Sequence, residues 1–192
     1  MKGLNIYFRI GIISILIAAV FFSKNCLENY FVSEKMDEIR NDIVAHTDSF
    51  YKDQYKNKKL QMPIQKIKSN FYVGRLVIKR LSLDLPILSE WSYDKIKVSP
   101  ARFKGSVYDN NMIILAHNYK SHFGKIHRLN EGDEVSFIDM DNNEFNYKVA
   151  NKEIIKGNDL DKILKNKNDL TLFTCTLGGK SRVVVGCKLI KK

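Results

Sequence analysis

Between Asp169 and Cys187 the chain reads DLTLFTCTLGGKSRVVVGC, two apolar runs joined by Gly178-Gly179, and no other stretch leaves so few ways to fold. Leu170, Leu172, Phe173, the three threonines and Val183 to Val185 suit a pleated surface, and the paired glycines supply the positive φ angles of a tight hairpin. Two antiparallel neighbouring strands are therefore predicted. In that hairpin Cys175 and Arg182 stand beside each other near the turn, which sets a thiol next to a guanidinium that stays cationic at physiological pH. The same pattern also suits a small buried hydrophobe beside a surface arginine.

The chain holds 192 residues, enough for one domain with an appendage and a core that needs no disulfide staples. Residues 1–24 carry the localisation signal. From Ile10 to Phe22 there is no charge, and the apolar stretch extends back to Leu4 with only Asn5 and Arg9 intervening. Leu4 to Phe22 as a helix spans roughly 28 Å, close to a hydrocarbon core, and Arg9 reaches the near interface by snorkelling. Lys2 and Arg9 predict a cytoplasmic N-terminus and an extracellular body. A cleaved signal peptide is the competing reading, but Ser23-Lys24-Asn25 is a poor small-residue cleavage site, which favours an uncleaved single-pass anchor.

Residues 25–70 read as a stalk. Leu27 to Gln61 has neither Pro nor Gly, and Val32, Met36, Ile39, Ile43, His46 and Phe50 recur at alternating spacings of four and three, one narrow apolar seam on a helix that Pro63 closes. Whether the seam docks on the domain that follows or on a second copy is open at this stage, and His46 is a packing position. From Phe71 the period changes. Tyr72 to Leu81, Leu83 to Leu88, Trp91 to Val98, Met112 to Ala116, Glu134 to Asp139 and Glu144 to Ile155 read as short strands, with a turn at Asp141-Asn142-Asn143. One helix is expected at Asp159 to Asn166, capped by Asn158 or Asp159. So many short strands in about 120 residues imply a mainly β domain, a closed barrel of about eight strands with short helices. Met112-Ile113-Ile114-Leu115-Ala116-His117 puts a histidine where an apolar strand gives way to a polar loop, the usual seat of a working side chain.

Thr171-Leu172-Phe173-Thr174-Cys175 followed by Arg182 resembles the TLxTC segment and downstream arginine of the sortases, cysteine transpeptidases of the Gram-positive cell envelope. The resemblance covers residues 71–192 and implies the sortase β-barrel, with Cys175, His117 and Arg182 as catalytic residues. Family members commonly have glycine before the histidine, where this chain has Ala116; His122-Phe123-Gly124 and the Leu129 to Asp133 segment also look like the family, and His122 is the reserve histidine. The implied activity is cleavage of a C-terminal LPxTG-like sorting motif through a Cys175 thioester, with acyl transfer to an amine of lipid II or peptidoglycan, so that surface proteins bearing the signal become anchored. Pilin-polymerising members carry a second C-terminal membrane segment and an Asp-Pro lid motif; this chain ends at Ile190-Lys191-Lys192 without an Asp-Pro, so a substrate-anchoring enzyme, class B- or D-like, is expected. Val149 to Asp169 is the expected substrate-facing loop, with Leu76, Val77 and Ile114 as wall candidates.

Other readings are weaker on the residues. The net charge of +11 comes from scattered lysines without any nucleic-acid-binding motif, so no nucleic-acid partner is expected; a membrane-tethered β-domain binding anionic wall polymers is the alternative without catalysis. A papain-like protease or an L,D-transpeptidase would set its cysteine in a different local context. His117, His122 and His127 are spaced at five-residue intervals that do not align on a helix face, so no metal is expected; Asp109, Glu153 and Asp159 are the acids a calcium ion would use, and no other cofactor is implied. Cys187, opposite about residue 170, is too far from Cys175 for a disulfide, and Cys26 lies at the membrane face. The oligomeric state is not legible.

Overall fold

The structure is a computed structural model that describes residues 2–47 and 61–190. A single helix, α1 (Lys2–Thr47), carries both the apolar N-terminal stretch and the seam. Along Ile6 to Phe22 its large apolar side chains are exposed, whereas Met36, Ile39 and Ile43 are buried. Such a helix is half candidate membrane span and half docked element, since its seam is buried against the barrel while its apolar N-terminal stretch stands bare.

Nine strands follow: β1 (Gln65–Ile67), β2 (Asn70–Ile78), β3 (Leu83–Leu88), β4 (Ala101–Lys104), β5 (Met112–Leu115), β6 (Glu134–Asp139), β7 (Glu144–Lys156), β8 (Leu170–Cys175) and β9 (Ser181–Leu189). Their order is β1-β2-β3-β4-β5-β8-β9-β7-β6, and the additional pairing of β2 with β6 closes β2 to β9 into an eight-stranded barrel with β1 appended. Closure removes the sheet edges that would otherwise expose unpaired backbone. Alternation along each strand fills the lumen: Leu76, Ile78, Met112, Ile114, Phe137, Tyr147, Leu172 and Val185 are fully buried in the inner cluster. Ile113, Ile155, Phe173 and Val184 have the opposite parity and form a second cluster, on which Ile163 packs from the short helix α3 (Leu160–Leu164).

The seam of α1 docks on the barrel. Met36 joins the inner cluster with Leu83 and Leu85, and Ile39 and Ile43 pack with Ile67, Tyr72, Leu88, Ile96 and Ala101. Each such side chain contributes about 1.5–3 kcal/mol on burial. The His46 side chain and Phe50, the last seam positions, lie outside the described residues. Trp91 to Val98 is not a strand. Ser92 instead opens a turn, its Oγ accepting from the Lys95 N–H at 3.1 Å and its carbonyl from Ile96 N–H at 3.0 Å, and the helix α2 (Lys95–Val98) inserts Ile96 beside Ile39 and Ile43. One anchor residue with polar neighbours serves a single helical turn better than a strand. The turn at Asp141-Asn142-Asn143 is present, tied by the buried Asp139 carboxylate, which accepts from the Asp141 N–H at 2.8 Å and the Asn143 N–H at 2.9 Å. The expected helix at 159–166 is shorter than its sequence signal, and no side-chain hydrogen bond from Asp159 caps it.

Candidate active site

Two strand pairings bring the sequence-predicted residues to one place. β5 and β8 run parallel in the register Met112 with Leu170 to Leu115 with Phe173, so both strands end on the same rim. One residue further on, the Thr174 hydroxyl donates to the Ala116 carbonyl at 2.8 Å inside the barrel, and the Ala116 N–H donates to the Phe173 carbonyl at 3.2 Å. Since Ala116 and Thr174 are buried inward, the next residues, His117 and Cys175, turn to the outer face beside one another. β8 and β9 then pair antiparallel with Cys175 directly across from Arg182. Thiol, imidazole and guanidinium thus come from three adjacent strand ends above the floor of Ile113, Leu115, Phe173 and Val184.

The turn between β8 and β9 holds this rim. Gly178 and Gly179 have φ of 84° and 72°, and the Thr176 N–H donates to the Ser181 carbonyl at 2.9 Å. Arg182 is drawn into the turn: its Nη1 donates to the carbonyls of Gly179 at 2.9 Å and Ser181 at 3.0 Å. Cys175 is a free, half-buried thiol, while Cys187 pairs with Leu170 in the barrel wall, where burial pushes its thiol up to about 12. A disulfide between them is excluded by this placement.

These features match a known family. A Sortase domain family model covers residues 76–190. The chain belongs to the sortase family. Sortases are cysteine transpeptidases, so the thiol on this rim belongs to an enzyme family that uses one. Sortase C1 from Streptococcus agalactiae is 22% identical with a TM-score of 0.56, over 66% of this chain and 70% of that one. Clostridium perfringens sortase C, solved with the C-terminal cell wall sorting motif, is 20% identical with a TM-score of 0.56, over 81% of this chain and 91% of that one. Listeria monocytogenes sortase A is 20% identical with a TM-score of 0.54, over 62% and 88%. At these identities the likeness is one of fold. No protein of curated function matches the chain.

Around His117 this sortase has neighbours that its sequence did not announce. The imidazole stacks on Tyr119, with ring centroids 4.9 Å apart and planes 26° from parallel. Burial lowers its pKa, the Lys97 cation adds to that, and the Glu28 carboxylate opposes both. Its Nε2 is buried without a hydrogen-bond partner. His122, the reserve, is wholly buried and meets Tyr119 at 5.3 Å. Its pKa falls to about 4, through burial first and then the His117 charge, so it is a neutral packing residue behind the rim. Tyr119, two residues after His117, was legible only as an aromatic in a loop; Lys97 stood in a segment read as a strand, and Glu28 in the stalk.

Other expectations shift. Leu76 and Ile114 lie inside the barrel rather than on a substrate wall, since their parity is inward; outward parity gives Ile113 and Leu115, flanked by Phe103, instead. Val77 on β2 belongs to a surface recess with Lys79 just beyond that strand, Glu134 on β6 and Leu189 on β9. The expected loop at 149–169 begins as strand, because β7 continues to Lys156, and only 157–169 crosses the outer face. Gly157 opens it in close contact with the turn: an added Cβ would meet the Lys180 carbonyl oxygen at 2.9 Å and Arg182 Nη1 at 3.2 Å. Among the described residues no three His, Cys, Asp or Glu side chains converge on a common point. Glu153 is engaged in an ion pair with Lys162, which Asp159 also faces.

Proposed function

We propose that this sortase cleaves an LPxTG-like sorting motif and transfers the acyl group to an amine of lipid II or peptidoglycan, anchoring surface proteins. The Cys175 thiolate attacks the scissile carbonyl; the tetrahedral intermediate collapses to a thioester as the C–N bond breaks, and the His117 imidazolium gives its proton to the departing amine. Neutral His117 then takes a proton from the incoming amine, which attacks the thioester and releases the thiolate. Arg182 turns from the Gly179 and Ser181 carbonyls to donate to the developing oxyanion or the peptide backbone. The low pKa of His117 makes the thiolate–imidazolium pair a minority species near neutrality, so turnover is slow. α1 keeps the N-terminus cytoplasmic and the barrel outside.

The observation that carries this reading is the common rim of His117, Cys175 and Arg182 above an apolar floor. Its test is intact mass spectrometry of the full chain in detergent micelles with a pool of sorting peptides, with and without an amine acceptor. An acyl adduct that disappears on adding the amine and never forms in Cys175→Ala is the expected result. No adduct, together with a Cys175 inert to small thiol reagents, overturns the reading.

A further inference from the structure

The helix that leaves the apolar span meets the histidine loop before it meets any other part of the barrel. Asn29 Oδ1 accepts a hydrogen bond from the Lys120 N–H at 3.4 Å. Glu28, one residue earlier, brings its carboxylate charge to bear on Tyr119, and a polar cavity of about 260 Å³ between helix, loop and β3 is lined by Asn29, Ser33, Arg40, Asp84, Lys120 and Lys125. The loop is otherwise closed on itself: the Tyr119 carbonyl accepts from His122 N–H at 3.0 Å and Gly124 N–H at 2.8 Å, and the His117 carbonyl accepts from Phe123 N–H at 3.2 Å. α1 supports it from outside, as α2 does through Val98 and Lys97, and on its inner side the ring of Tyr119 lies flat on His117 and touches His122.

We propose that Tyr119 is a positioning residue for His117, and that α1, through Asn29 and the Glu28 charge beside it, holds the loop that carries Tyr119, so that this helix is also part of the scaffold of the active site. This rests on the reading of His117 as the proton carrier. The stack fixes the imidazole plane on a side where the buried Nε2 has no hydrogen-bond partner to do so. The groups that bear on the imidazole are Tyr119 and His122 from its own loop, Glu28 from α1 and Lys97 from α2, and the hairpin that carries Cys175 and Arg182 shares its rim. Tyr119 also explains why an enzyme with a docked stalk places that stalk here: Glu28 follows Phe22 by six residues, about 9 Å of helix, so the span and the histidine loop are rigidly linked.

The test uses the full chain in micelles with isotope-labelled histidine. Tyr119→Leu is expected to displace the His117 ring resonances and lower kcat about tenfold or more with KM little changed, Tyr119→Phe to restore both, and Glu28→Gln to move the His117 titration to lower pH. Unchanged His117 resonances in Tyr119→Leu together with an unchanged titration in Glu28→Gln overturn the proposal; if Tyr119→Leu fails to fold, the Glu28→Gln titration decides alone. Spectral shifts as expected in a chain whose His117→Ala variant still transpeptidates would keep the coupling and remove the proton-carrier role.

Discussion

At His117 burial and Lys97 press toward the neutral ring while Glu28 presses the other way. Lys97 is itself paired with Asp94 at 2.8 Å, which softens its influence. Replacing Lys97 with Met is expected to raise the His117 pKa, enlarge the imidazolium fraction near pH 7 and carry the acid limb of the kcat/KM profile, which the lower pKa of the pair governs, to higher pH; a profile that stays put or moves down would show that Lys97 does not act on the ring. If Arg182 donates to the substrate as proposed, Arg182→Ala should leave Cys175 open to thiol reagents yet cut transpeptidation by about 10²–10³. His122 has a different consequence. Its folded pKa of about 4 lies below its unfolded value near 6.5, so the unfolded chain takes the proton first and stability falls as pH drops through that window, by on the order of 3 kcal/mol. Urea unfolding at pH 7 and pH 4.5 checks this: the loss should shrink in a folded His122→Gln variant.

Two elements organise the molecule, and both were written in short range. The β8–β9 hairpin follows from two apolar runs around Gly178-Gly179, whose positive φ values no other residue adopts at low cost. An added Cβ at Gly179 meets nothing within 4 Å, so Gly179→Ala isolates backbone strain, with an expected cost of about 1 kcal/mol in chemical denaturation. The seam of α1 was equally plain in its spacing, but its partner was not. Ile39 is buried among Ile43, Tyr72, Leu88 and Ile96, so Ile39→Ala is expected to cost about 2–4 kcal/mol. Hydrogen exchange should locate the loosening along the docked half of α1 and in β3, which a seam serving only a second copy would leave unchanged.

For the whole molecule, the candidate span and the seam docked on the barrel belong to one continuous helix, and its orientation across a membrane is open to measurement. In a Cys175→Ala background Cys26 is the exposed thiol and Cys187 the buried one, so a membrane-impermeant maleimide applied to intact cells should label the chain at Cys26; labelling only after lysis would reverse the topology. The sequence by itself determined most of the strands and the family. Short runs of strand formers marked those strands, an uncharged stretch marked the candidate span, and the TLFTC segment with Arg182 and a strand-terminal His117 pointed to the family, because each is set by neighbours a few residues apart. The tertiary structure alone decided what depends on strand order. Parallel pairing of β5 with β8 put His117 and Cys175 on one rim, the pairing of β2 with β6 closed the barrel, parity then sent Ile114 inward and Leu115 outward, and docking brought Glu28 to a histidine loop some ninety residues away. Contacts of that range arise from the summed packing of the core rather than from any local preference, and so leave no mark in a short window of sequence.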